Sequence, residues 1–295
     1  MKFSVVIPSY NRAEFLPKTL ESIFNQTHHA HEIIVVDDGS TDDSALLVKE
    51  LIKSHGNLIL INQQNSERGR ARNVGWAGAT GDYVVFFDSD DQMLPHYLET
   101  LDREIGKQPV SPEIVACKIH LIKDGQISSH RSQNGLEGKY NYKLFLKGNP
   151  LACHFAVKRE VPFIQFNEDR SLATMEDWMF LVENTMNREM IVIDEVAIQM
   201  VEHGGRSMHQ NDELITRRLR AANLLKSKLN FNSLEERKLN AYTHLFCFIH
   251  SVDGRSIKKA LFHLSQCLKY GLIDSVVLYT LVRLTLGDKL IRVFR

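Results

Sequence analysis

Three carboxylates fall within four residues at Asp88-Ser89-Asp90-Asp91, directly after the apolar run Tyr83-Val84-Val85-Phe86-Phe87. A run without polar alternation is the pattern of a strand buried on both faces. Carboxylates this close repel one another unless a positive group lies among them. At the carboxyl end of a buried parallel strand that group is commonly a divalent cation holding a phosphate ligand. An acidic surface turn with one Asp capping the next helix gives the same residues. The turn by itself leaves both readings open.

Other reactive groups recur at the ends of apolar runs. Pro8-Ser9-Tyr10-Asn11-Arg12 follows Phe3-Ser4-Val5-Val6-Ile7, so that Pro8 ends a strand, Tyr10 offers a ring for stacking and Arg12 a cation. Asp37-Asp38-Gly39-Ser40 follows Glu32–Val36, and its acids could accept hydrogen bonds from a ribose or a base imide, or cap a helix. Arg68-Gly69-Arg70-Ala71-Arg72-Asn73 sets three arginines around a helix start. There they could neutralise a diphosphate, hold Asp88 and Asp90 in place, or line a solvated face. Farther on, Glu176-Asp177 opens a segment of helical period, where acids also suit the macrodipole, and His203-Gly204-Gly205-Arg206 follows a strand pattern.

The elements that must position these groups alternate in the first hundred residues. Strand patterns at Ser4–Ile7, Glu32–Val36, Leu58–Ile61 and Tyr83–Phe87 are separated by helical patterns at Ala13–Gln26, about 42–54 and Gly69–Ala79. A helix is predicted at Leu94–Ile105. This is the signature of a parallel sheet with right-handed crossovers, whose ligands bind at the carboxyl ends of the strands. After Ile105 the patterns at Ile114–Ile122, Gln126–His130, Ala152–Val157, Phe163–Phe166 and Ile191–Val201 predict antiparallel additions to the same sheet. The turn Asp124-Gly125 and the polar loop Arg131–Asn141 lie between them. From about Ser207 every segment has helical period, ending in Asp274–Phe294. The expected division is 1–206 and 207–295.

In this order and spacing the motifs resemble a family-2 glycosyltransferase of bacterial surface-polysaccharide type. Val5 to Arg12, Glu32 to Asp42, Arg70-Ala71-Arg72-Asn73 with Gly75, and Asp88-Ser89-Asp90-Asp91 each match a family segment. The resemblance spans roughly residues 3 to 207. It implies the α/β GT-A fold, a Rossmann-like sheet, here with a C-terminal helical segment. It implies an inverting transfer from a nucleoside-diphosphate sugar, most simply a UDP-sugar, to a saccharide or lipid-linked saccharide. GDP-mannose, a dTDP-sugar or a non-catalytic binding relative are the alternatives. Carried over by position, Pro8, Tyr10, Arg12 and Asp38 line the nucleoside site. Arg72, Asp88 and Ser89 lie by the diphosphate and ribose. Asp90 and His203 ligate Mn²⁺ or Mg²⁺, Arg206 helps with the diphosphate, Asp177 is the general base and Glu176 shapes the acceptor site.

Composition narrows the partners. The 36 basic and 36 acidic residues cancel, which argues against a nucleic-acid binder. From Arg206 onward there are 16 basic and 7 acidic residues, a net of +9, leaving −9 on the first 205. The apolar, basic stretch 274–295 is therefore expected either to touch an anionic membrane surface, to pack on the catalytic domain or to form a homodimer. Cys117, Cys153, Cys247 and Cys267 are scattered among apolar neighbours, as in a reducing, cytoplasmic setting. The start is too short for a signal-peptide core, and no stretch reaches the roughly 18–20 apolar residues of a spanning helix. A nicotinamide enzyme would need G-x-G-x-x-G after the first strand, and a nucleotidylyltransferase a Gly-rich basic loop. Pro8 to Arg12 is neither.

Overall fold

A computed structural model describes residues 1–123, 125–129, 133–204 and 211–291. Asp124, Arg206, Ser207 and the end of the last helical pattern at Phe294 lie outside the described residues. The chain divides into two compact units, Met1–Tyr142 with Asn149–Gly204, and Lys143–Gly148 with the helical remainder.

The first unit is built on one sheet. Strands β1 (Phe3–Ser9), β2 (Glu32–Asp37), β3 (Leu58–Asn62) and β4 (Tyr83–Phe86) run parallel, joined by α1 (Leu16–Phe24), α2 (Ser44–Ile52) and α3 (Glu67–Gly78). Every residue of β1, β2 and β4 is buried, as expected of a sheet covered on both faces. Then come β5 (Gln92–Met93), α4 (Tyr97–Gly106), β6 (Ile114–Lys123), β7 (Gln126–Ser129) and β8 (Gly138–Tyr140). After α5 (Tyr142–Phe145), which from Lys143 on belongs to the second unit, follow β9 (Ala156–Lys158), α6 (Glu176–Asn184) and β10 (Met190–Val201). The strand order is β3-β2-β1-β4-β9-β6-β10-β5, with β7 beside β6 and β8 beside β10.

Strand β9 is antiparallel to both β4 and β6, so β6 regains the direction of β4. Strand β10 then pairs parallel to β6, not antiparallel as the sequence pattern suggested, with irregular register between Ile193 and Ile198. Its carboxyl end therefore arrives at the same edge of the sheet as those of β1, β2 and β4. Pro8 lies inside β1, opposite Val36, and does not end the strand. It is past the last residue paired with β4, so its missing N–H breaks no ladder on that side.

Phe163–Phe166 is not a strand. Two asparagine side chains from neighbouring helices replace the ladder partner. Ile164 N donates to Asn184 Oδ1 at 2.8 Å and Ile164 O accepts from Asn184 Nδ2 at 2.9 Å. Asn73 pairs with the backbone of Phe166 in the same way, at 3.0 and 2.9 Å. The backbone polar groups are satisfied without a sheet neighbour.

Helix α3 lies tight on the sheet because Gly75 allows it. A Cβ there would stand 2.4 Å from Val6 Cγ1 and 3.1 Å from Val36 Cγ2. Both valines are fully buried and cannot retreat. Gly75→Ala is expected to cost about 1–3 kcal/mol of stability through overpacking. Urea unfolding would show it as a lower midpoint at unchanged slope.

The second unit contains α7 (Asn211–Lys228), α8 (Ser233–Asp253), α9 (Ile257–Lys269) and α10 (Ser275–Ile291). Asn232 and Glu235 form a capping box at the start of α8. A core of Leu245, Phe248, Ala260, Cys267 and Val277 joins α8, α9 and α10. All four cysteines are buried free thiols. Among the described residues no helix is long and apolar enough to cross a membrane.

Candidate active site at the carboxyl edge of the sheet

The loops after β1 and β2 are locked to each other. Asn11 adopts φ +52°, its Oδ1 accepts from Thr41 N at 2.8 Å, and its own N–H donates to Ser40 Oγ at 2.9 Å. Tyr10 stands beside this lock, 46% exposed. Gly39 has φ +77°, and a Cβ on it would lie 2.9 Å from Asn65 N, so the turn needs glycine. The Asp38 carboxylate is buried and accepts from Gln63 Nε2 at 2.6 Å, Ser66 N at 2.8 Å and Asn65 Nδ2 at 3.3 Å. It braces the entry to α3 from within the chain. Pro8 is buried as well, so of the four residues that the resemblance assigned to the nucleoside only Tyr10 and Arg12 present side chains outward.

The residues of the acidic turn after β4 each have different partners. Asp88 Oδ1 accepts from Arg72 Nη2 at 2.8 Å. Burial alone would raise this carboxyl, but Arg72, with His154 and Arg68, outweighs it and holds Asp88 down at about 2. Ser89 is buried, and its carbonyl accepts from the Thr19 hydroxyl at 3.0 Å. Asp90 Oδ2 lies 3.0 Å from His203 Nε2 and 3.7 Å from Arg12 Nε. The His203 ring stacks on Phe15, with centroids 4.1 Å apart. Asp91 is wholly buried, with Oδ2 2.7 Å from His154 Nε2 and Oδ1 accepting from Val201 N at 2.9 Å.

Two sets of donors suit a metal. Asp88, Asp91 and His154 bring liganding atoms within 4.8 Å of one another. Asp91 and His154 are, however, both sealed from solvent and spent on each other. Asp90 and His203, each about one-tenth exposed, offer a carboxylate oxygen and an imidazole nitrogen 3.0 Å apart, and unlike Asp91 and His154 they are not sealed from solvent. That oxygen–nitrogen set fits a divalent cation that keeps positions for phosphate and water.

Arg72 ties this turn to the other half of the site. Its guanidinium is 1% exposed, sits 5.5 Å from the Phe166 ring centroid, and donates from Nη1 to Glu176 Oε1 at 2.7 Å while Nη2 holds Asp88. With both Nη groups on carboxylates, Arg72 organises the cleft from below. Glu176 is 2% exposed and also meets Arg68 Nε at 3.8 Å. Asp177, one residue on in α6, is only half-buried. Its Oδ2 accepts from Asn149 Nδ2 at 2.8 Å. Burial, and then the charge of Glu176, push the Asp177 carboxyl up to about 6, against the pull of Arg72. A carboxylate poised there can take a proton near neutral pH.

Backbone strain collects around the cleft. Besides Asn11, Glu67 at the start of α3, Ala152 near Asn149 and Thr174 just before α6 all have positive φ without being glycine. The sequence reading singled out neither Asn149, whose Nδ2 holds the Asp177 carboxylate, nor His154. Neither stands in a motif, and each meets its carboxylate only through the tertiary fold. Asn149 falls in a segment with no legible periodicity, whereas Ala152 and His154 lie in the strand pattern Ala152–Val157, of which only the end becomes β9.

Comparison with known proteins bears on the family and the fold. The model of glycosyl transferase family 2 matches residues 4–163, more than half of the chain. Glycosyltransferase GlyA of Streptococcus pneumoniae is 42% identical over 104 residues, 35% of this chain and 15% of that protein. The GalNAc(5)-diNAcBac-PP-undecaprenol beta-1,3-glucosyltransferase of Campylobacter jejuni is 36% identical over 138 residues, 46% of this chain and 44% of that protein. The matches thus span less than half the length of these relatives. A crystal structure of S. aureus TarS 1-349 superposes over the whole of this chain and 92% of that one, with TM-score 0.63 at 20% identity. A second TarS structure, matched over 92% of this chain and 91% of that one with TM-score 0.60, holds UDP-GlcNAc. The chain belongs to glycosyl transferase family 2 and has the GT-A fold.

Proposed function

We propose that this protein is a metal-dependent, inverting glycosyltransferase, with residues 1–206 as its catalytic part. The observation that carries the reading is the Arg72 bridge, which draws the Asp88–Asp91 turn and the Glu176-Asp177 helix start to one cleft. The donor we infer is a UDP-sugar carrying a hexosyl or N-acetylhexosaminyl group, in keeping with UDP-GlcNAc in TarS. The acceptor is a saccharide or a lipid-linked saccharide, in keeping with the name of the Campylobacter relative. The work site is the cytoplasmic side, where such donors are made.

In this mechanism Asp177 takes the proton of the acceptor hydroxyl as its oxygen attacks the anomeric carbon. The bond from that carbon to the diphosphate breaks, its electron pair leaves with the nucleoside diphosphate, and the configuration inverts. Arg12 stands where it can offset the charge on the departing group. Asp90 and His203 would hold Mn²⁺ or Mg²⁺, whose Lewis acidity would neutralise the leaving diphosphate. Tyr10, exposed in the loop after β1, would stack on the base. Asp38 has its oxygens engaged by the chain, which leaves uridine, guanosine and thymidine donors to be separated by experiment.

Purified protein offered UDP-, GDP- and dTDP-sugars with Mn²⁺ is expected to release nucleotide slowly from a UDP-sugar. Release should stop with EDTA and drop at least about tenfold in Asp90→Ala. Failure of all three nucleotides plus Mn²⁺ to raise the melting temperature, with no release from any donor, would sink the reading.

A further inference from the structure

Helix α9 is inside out by the usual rule. Its inner face meets the α8–α10 core with Ala260, His263 and Cys267, all buried and small or polar, and a partly buried Leu264. Its outer face carries Ile257, Leu261, Phe262 and Leu268, each more than half exposed. Ile257, Leu261 and Leu268 recur at helical spacing and form one stripe. A helix held only by core packing places its large aliphatic side chains inward. The surface continues on α10, where Val276, Leu278 and Val282 are 41–54% exposed over a buried Val277.

Charge says what covers this face. Between residues 254 and 287 there are five basic residues and a single acid, Asp274; Lys259 and Arg283 are paired with Asp212 and Asp253, so the charge offered at this face comes from Arg255, Lys258 and Lys269. The Asp274 carboxylate is spent capping α10, accepting from Val276 N at 3.0 Å and Val277 N at 2.9 Å. Arg255, Lys258 and Lys269 are exposed, with Lys258 and Lys269 on the flank of the apolar stripe. A second copy meeting this face with its own would bring lysine against lysine around the apolar centre. An anionic lipid surface matches both features, with phosphate headgroups for the lysines and the acyl boundary for the aliphatic stripe.

We propose that the exposed face of α9 and α10, beginning at Ile257, is a peripheral binding surface for anionic phospholipid bilayers. The sequence pattern pointed to 274–295, whereas the structure moves the centre of the surface one helix earlier. The surface is independent of the catalytic reading, because none of its residues belongs to the cleft.

The test is flotation of the whole chain with vesicles of phosphatidylcholine alone or with roughly one-third phosphatidylglycerol. The protein should float with the anionic vesicles only, and be released at about 0.5 M salt, where charge attraction is screened. Lys258→Glu with Lys269→Glu, and separately Leu261→Ser with Phe262→Ser, should each lower partitioning at least about tenfold. Both variants should melt like the wild type and release nucleotide at the wild-type rate without lipid. Equal flotation with neutral vesicles, or variants that float as the wild type does, would overturn the proposal. So would a dimer in solution that Leu261→Ser with Phe262→Ser converts to monomer, since the face would then serve a second copy.

Discussion

Asp177→Asn is expected to lower kcat by about 10²–10⁴-fold while leaving donor binding nearly intact. The substitution keeps shape and the hydrogen bond from Asn149 but removes the ability to accept a proton. In the wild type the carboxyl titrates near 6, raised by burial and by Glu176. A general base works deprotonated, so kcat/KM should be flat above about pH 6 and fall about tenfold per unit below it. Asn149→Ala removes a donor that favours the carboxylate, and the acid limb should move to higher pH. A limb that stays put in Asn149→Ala, or an Asp177→Asn enzyme within a few-fold of wild type, would remove Asp177 from the role. Stability should change the other way. A carboxyl raised in the fold above its unfolded value favours folding below the unfolded value near 3.9. It loses that contribution as pH rises through 6. Asp177→Asn should therefore be more stable than the wild type at pH 8, by about 1–2 kcal/mol once solvent screening is allowed for, and no more stable at pH 4.

Arg72→Leu should be the most destabilising single change in the cleft, by about 3–5 kcal/mol at pH 7, because it strands Asp88 and the deeply buried Glu176. Arg72→Lys should recover little of this, since one ammonium cannot reproduce a fork that holds two carboxylates at 2.7 and 2.8 Å. The Asp88 carboxyl is depressed to about 2, so its contribution is present above the unfolded value and lost as pH falls toward 2. The gap between wild type and variant in urea should accordingly narrow between about pH 5 and pH 2. A gap of constant size across that range would mean the bridge is not what stabilises the cleft.

The two halves of the first unit differ in how openly the sequence declares them. In β1 to β4 each strand and its functional loop are contiguous, so apolar runs and the residues that end them reveal fold and candidate site together. Asp90 and Asp177 can be singled out this way, because each stands in a short motif at an element boundary. What Arg72 does could not be read so. Its sequence allowed contact with a diphosphate or with Asp88, and only the approach of α3 to α6 decides which atoms its two Nη groups meet. Asn73, Asn149 and Asn184 are quieter still. An asparagine that satisfies a backbone segment looks like any loop or surface amide until the segment is beside it. The misread strand at Phe163–Phe166 has the same cause. Its aromatic run signals burial, and burial was met by asparagine braces and a cluster of rings, with Phe166 stacked 4.4 Å from Phe180, instead of by a ladder.

The position of β9 between β4 and β6 sets the order in which the nascent chain can become whole. When Phe86 leaves the ribosome, β4 has β1 on one side and nothing on the other, and its proper neighbour arrives only with Ala156, about 70 residues later. At ~5–20 residues per second that is several seconds with an open, wholly apolar edge. During that time β6, already made and destined to run in the same direction as β4, is the nearest unpaired strand. A three-residue strand must then displace whatever has settled there. Overproduction that outruns this step should yield aggregates seeded at β4, and slower synthesis or a bound holdase should relieve them.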